Sequence, residues 1–200
     1  MTDQLIFHSW HVLEYDVDTP NNQDPMLRFP MSKGRESMVY LSFIIDHYDK
    51  LPWAIVFVHG HREAWHQEDE ILSLTRSLNR IALARHGYIS LRCDWYPSCP
   101  AEMRPVHGDS AIWGPDVFKK GTEAAIAGNW RFLFPNDPLP ETIASPCCAQ
   151  FAVTRQAVMK RPKADYLRLR DWLMSSLLED YLSGRVIEKI WAFLFTGQAV

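Results

Sequence analysis

The chain has 200 residues, 47% of them apolar and 22% charged, a profile that describes one globular domain and excludes a disordered or fibrous chain. Its 21 Lys and Arg against 24 Asp and Glu give a net charge of −3, so a nucleic-acid binder working through overall positive charge is excluded and only a local basic patch is left. No apolar run nears the ~20 residues that span a bilayer, and the first residues carry neither a basic nor a continuous apolar segment; a cytoplasmic protein with no membrane partner is expected.

A short strand is expected around Leu5–Leu13, followed by an irregular connection over Asp16–Pro30, where three prolines interrupt a polar stretch. Ser32–Glu36 opens a helical pattern in which Met38, Leu41, Ile45 and Tyr48 form one apolar stripe. Proline disfavours helix in the residue before it, so this helix should stop near Asp49–Pro52. Trp53–Val58 is a continuous apolar run, the pattern of a central, doubly covered strand. Glu68–Ala84 reads as a helix with Ile71, Leu74, Leu78 and Ile81 on one face. Gly87 ends it, and Tyr88–Leu91 gives a second strand. Cys93–Pro115, with four prolines and three aromatic residues, reads as an active-site loop. Asp116–Phe134 is helical, Cys148–Val153 is a further strand, and helices follow over Arg155–Lys160, Tyr166–Leu178 and Arg185–Phe195. Alternating helices and strands predict a single catalytic α/β domain over residues 1–200, its mainly parallel sheet flanked by helices in a Rossmann-like arrangement.

In such a sheet the ligand crevice lies beyond the carboxyl ends of the strands. His59–Asp69 should sit there, with three histidines, an arginine, a tryptophan and three carboxylates in eleven residues. His59, His61 and His66 are the candidates for proton transfer, with Glu63 and Trp65 for substrate contact. His61 and His66 have the chemistry of metal ligands but not the spacing of an H-E-x-x-H pair, and no metal is expected. The competing reading is that these side chains satisfy loop backbone groups and cap the next helix. Arg92 and Asp94 follow the second strand and should reach the same crevice. Gly34-Arg35-Glu36 places a forked anion donor and a carboxylate at a helix start, although Glu36 also simply complements the helix dipole.

The four cysteines are Cys93, Cys99, Cys147 and Cys148. A vicinal pair makes a poor disulfide and the Cys93–Cys99 spacing is not that of a zinc knuckle, so all four are expected as reduced thiols. Cys148 is then either an acyl acceptor or a small buried hydrophobe. Gln150, inside an apolar strand, must be hydrogen-bonded if buried, and a ligand contact is one reason for it. Residues 154–170 hold six Lys and Arg and one acid; this stretch is either a phosphate-binding patch or a solvated helix face. Eight tryptophans imply large buried anchors or a stacking pocket.

Several segments carry a resemblance together: Gly34-Arg35-Glu36 with Ile44–Pro52, Val56–His61 with Trp65-His66, Cys148–Arg155 ending in Ala-Val-Thr-Arg, and Ser183–Glu188 with Trp191. Over roughly Ser32–Gly197 the chain resembles a large, mostly fungal family of small proteins with a glycosyltransferase-A-like fold. It is closer to the short soluble branch that resembles arginine-containing cyclodipeptide synthases than to relatives that carry a membrane anchor. The resemblance implies two aminoacyl-tRNA partners, arginyl-tRNA and a second charged tRNA, and a cyclic dipeptide (diketopiperazine) containing arginine. It implies no cofactor, because aminoacyl esters are already activated. On this reading His59, His61, His66 and Cys148 are catalytic, and Arg35, Glu36, Glu63, Trp65, Arg92, Asp94, Gln150 and Arg155 bind substrate. Lys160, Arg161 and Lys163 would take tRNA phosphates. A glycosyltransferase using a sugar nucleotide is the alternative, although the D-x-D metal pair of such enzymes is missing.

Overall fold

A computed structural model describes residues 10–63, 69–92, 103–109 and 118–200, the backbone alone at 118–120. In chain order the helices are α1 (Glu36–His47), α2 (Ile71–Arg76), α3 (Arg80–His86), α4 (Phe118–Leu133), α5 (Arg155–Val158), α6 (Lys163–Ser175) and α7 (Asp180–Thr196). The strands are β1 (Ala54–Phe57), β2 (Tyr88–Ser90) and β3 (Phe151–Thr154). Among the described residues no helix is long and apolar enough to cross a membrane.

The sheet corrects the expected fold class. Its order is β1-β3-β2, and β3 pairs antiparallel with both neighbours. Ala54, Ile55, Val56 and Phe57 face Thr154, Val153, Ala152 and Phe151; Tyr88, Ile89 and Ser90 face Val153, Ala152 and Phe151. The two earlier strands do run the same way, as their helix-strand alternation suggests, but they do not touch. The later strand enters between them in the opposite direction, and the fold is a helix-rich α+β arrangement rather than a mainly parallel, Rossmann-like one. The central strand is therefore β3, whose four residues are all buried, and not β1.

Strand alternation sends the two sheet faces into different cores. Ile55, Phe57, Tyr88, Phe151 and Val153 join the main core with α1, α4, α6 and α7. Ala54, Val56, Ile89 and Ala152 face the other way, against Leu78 and Leu83. Helix α1 is buried almost all round, Ser37 and Ser42 included, so it is a core helix rather than one with a single apolar stripe. The helix expected over Glu68–Ala84 is two helices. Asn79 breaks it by capping α3, its side chain accepting from Ala82 N–H, and Ile81 is left 83% exposed. Gly87 closes α3 in the left-handed conformation expected of a glycine cap.

Trp10–Leu13, the described part of the expected first strand, forms no strand. Trp130, Trp172 and Trp191 are core anchors, and the first two donate their indole N–H to Asp137 O and Asn129 Oδ1. Much of the tryptophan load is thus structural. Arg161 is likewise built into the fold. Its guanidinium pairs with Asp137 at 2.9 Å, donates to Leu194 O and lies over the rings of Phe134 and Phe193.

Candidate active site

The carboxyl ends of β1 and β2 and the start of β3 meet at one end of the sheet. His59 N–H, just past β1, donates to Gln150 Oε1 at 3.1 Å, and Leu91 N–H donates to Gln150 O at 2.9 Å. Buried Gln150 thus pins the loop after β1 with its side chain and the end of β2 with its backbone. Arg92 reaches back from β2, placing Nη1 3.0 Å from Cys147 Sγ. His59, Arg92 and Gln150 lie together here.

Cys147 and Cys148 are joined as a disulfide, which corrects the expectation of reduced thiols. The ring is accommodated by an unusual backbone, with positive φ at Cys148 (81°) and Ala149 (46°). In this state Cys148 carries no free thiolate. Cys148 N–H donates to Glu188 Oε1 at 2.8 Å, tying the turn to α7.

Glu188 leads to the start of α1. Gly34 and Arg35 both have positive φ, 67° and 54°, and swing the chain into the helix. The turn rests on the start of α7 and the residues just before it: Gly34 N–H donates to Asp180 Oδ1 and Lys33 Nζ to Leu178 O. A Cβ on Gly184 would lie 3.1 Å from Gly34 O, so glycine gives this close approach of helix to backbone without displacing the turn. The result brings the half-buried carboxylate of Glu36 into the field of Glu188 and Asp180. Burial, with the repulsion of those two acids, raises Glu36 to about 7 against the pull of Arg35. Tyr40, one helical turn on, is buried against Phe57 and pushed well above the usual phenol range by burial and by Glu36.

Two acids of this cluster, Asp180 and Glu188, escape single-residue reading of the sequence. Glu188 lies inside the Ser183–Glu188 segment that carries the family resemblance; Asp180 had no signal beyond its place at a helix start. Other expected site residues fall elsewhere. Arg155 follows the far end of β3, about 16 Å of extended chain from Gln150, so it cannot share the crevice. His61 and Glu63 are exposed on the loop after β1. Arg35 is exposed beside Glu36, Lys160 is exposed after α5, and Lys163 is half-buried at the start of α6. Trp65, His66, Asp94, Cys93 and Cys99 lie outside the described residues, as does most of the expected loop 93–115. Among the described residues no group of three His, Cys, Asp or Glu side chains is placed to hold a metal ion.

The arrangement thus has an anion-attracting arginine, a cation-attracting pair of acids, and one carboxylate poised near neutrality at the same end of a small sheet. The chain belongs to the family described as "Protein of unknown function (DUF3431)", which matches residues 2–200. No curated protein and no solved structure matches it.

Proposed function

We propose that the chain is an enzyme that condenses two aminoacyl-tRNA esters into an arginine-containing cyclic dipeptide, and that Glu36 is its general base. The observation that carries the reading is the Glu36–Glu188–Asp180 cluster. Three acids against exposed Arg35 and buried Lys189, whose Nζ lies 3.8 Å from Glu188 Oε1, still leave an excess of negative charge that favours a cationic ligand, and an aminoacyl ester brings an α-ammonium and, for arginine, a guanidinium. A base with a pKa of about 7 is matched to removing a proton from an ammonium near physiological pH. The sequence resemblance to cyclodipeptide synthases points the same way.

In this scheme Glu188 and Asp180 hold the cationic groups while Glu36 takes one proton from the α-ammonium. The freed amine attacks the ester carbonyl of the second aminoacyl group. A C–N bond forms, the ester C–O bond breaks, and the terminal ribose hydroxyl leaves with a proton. The second amine then attacks the remaining ester in the same way and closes the six-membered ring. Both carbonyls arrive activated, so the chemistry asks only for positioning and proton transfer. Arg92 and Arg35 supply positive charge for the developing oxyanion or the terminal phosphate.

Expression in a heterologous host followed by mass spectrometry of the extract tests the activity. The expected result is a new diketopiperazine containing arginine, lost on Glu36→Gln. An extract with no such product from well-folded protein would count against the reading.

A further inference from the structure

The end of the sheet opposite the acidic cluster is basic. Gly87, which caps α3, packs against Ala157 of α5, and its carbonyl accepts from Thr154 N–H. Arg155 N–H donates to Trp53 O, just before β1, and the Arg80 guanidinium lies over the Trp53 ring at 5.7 Å. These contacts set Arg80 and Arg155 beside Trp53, with Arg85 on the same short helix as Arg80 and Lys160 just after α5, and all five side chains are exposed. Within 71–92 and 155–164 the sequence has no Asp or Glu. Among the described residues none of the four cations lies within ion-pair distance of a carboxylate. The nearest acid in sequence to Trp53 is exposed Asp49. A protein of net charge −3 thus keeps a group of solvated cations at one pole and the acids Glu36, Asp180 and Glu188 at the other.

We propose that this pole is an RNA-docking surface that grips the phosphate backbone, with Trp53 as a stacking platform for an unpaired base. The proposal rests on the aminoacyl-tRNA reading for the identity of the RNA. Unpaired, exposed cations attract phosphates by counterion release, and an aromatic ring carrying an arginine suits a nucleobase face. The alternative occupant, an anionic membrane surface, fits less well. α2 and α3 are only about 10 Å long each, too short to lay a continuous apolar face into a bilayer. The two poles are separated by the length of β3, roughly 13–17 Å. That is about four or five nucleotide steps at ~3.4 Å each, so RNA held at the basic pole can deliver an esterified 3′ end to the acidic one.

The test is binding of unacylated tRNA to the full chain across a salt series, in the wild type, R80E/R155E/K160E and Trp53→Ala. With four phosphate contacts, wild-type affinity should fall about 10²-fold between 50 and 200 mM salt. The triple variant should lose at least about 10²-fold at low salt and most of the salt slope; Trp53→Ala should lose about 5- to 100-fold. The affected side chains are exposed, so the melting temperature should hold and a binding loss is not an unfolding loss. Wild-type binding that survives in the triple variant would overturn the proposal and leave the tRNA reading standing. Wild type that binds tRNA through this pole but makes no cyclic dipeptide from charged tRNA would keep the proposal and remove the reading. No tRNA binding by the wild type would end both, and binding of phosphatidylserine vesicles in place of tRNA would assign the pole to a membrane.

Discussion

Replacing Glu36 by Gln removes a carboxyl that the fold holds partly protonated. Its pKa rises from 4.5 to about 7 on folding, chiefly because burial penalises the charged form. The folded state therefore binds this proton more tightly than the unfolded chain. Its stabilising contribution is complete below about pH 4.5 and is lost as pH rises through about 7. At 1.36 kcal/mol per pKa unit the full swing is about 3 kcal/mol, or roughly 6–12 °C in melting temperature for a domain of this size. Glu36→Gln cannot titrate, so wild type should weaken relative to the variant by this amount between about pH 4.5 and pH 8. Urea unfolding of both proteins across this window measures the difference. Parallel pH profiles would show that Glu36 is as well solvated as an unfolded carboxylate, and the base at the centre of the proposed chemistry would lose its physical ground. The catalytic counterpart is a product-forming rate that rises with pH through about 7 and falls about 10²–10⁴-fold in Glu36→Gln.

Gly184→Ala should cost about 1 kcal/mol or more, because its Cβ would lie 3.1 Å from Gly34 O and press on a turn tied down by the Gly34 N–H bond to Asp180; thermal unfolding checks it, and an unchanged melting temperature would refute the close approach. Arg161→Ala should lower stability by about 2 kcal/mol or more while leaving tRNA affinity within about twofold, since its guanidinium is used by Asp137 and the Phe134 and Phe193 rings; the reverse pattern would return Arg161 to the RNA surface. Without prior reduction the peptide carrying Cys147 and Cys148 should lack two hydrogens and resist alkylation; recovery of both residues alkylated would contradict the pairing.

Local structure was largely legible because it is set locally. The apolar run of Trp53–Val58 became β1, and Gly87 closed α3. Pairing was not, because nothing in a four-residue strand says which neighbour it will meet across about a hundred intervening residues. Phe151–Thr154 has the burial of a central strand, but its direction is fixed by the chain's return from α4, not by its composition. The acidic cluster was half visible. Glu36 announced itself at a helix start, whereas Asp180 and Glu188 gain their place only when Gly184 lets α7 reach the turn at Gly34. The basic segment was legible as charge but not as geometry: Arg161 turned inward, and Arg80 and Arg85 joined Arg155 and Lys160 from a different part of the chain.

The most direct measurement combines purified chain, arginyl-tRNA and a pool of other charged tRNAs, with the products read by mass spectrometry. The account expects an arginine-containing diketopiperazine with no added ATP or metal, abolished by RNase before mixing and by Glu36→Gln. A product that forms equally well after RNase treatment, or that Glu36→Gln makes at the wild-type rate, would contradict it.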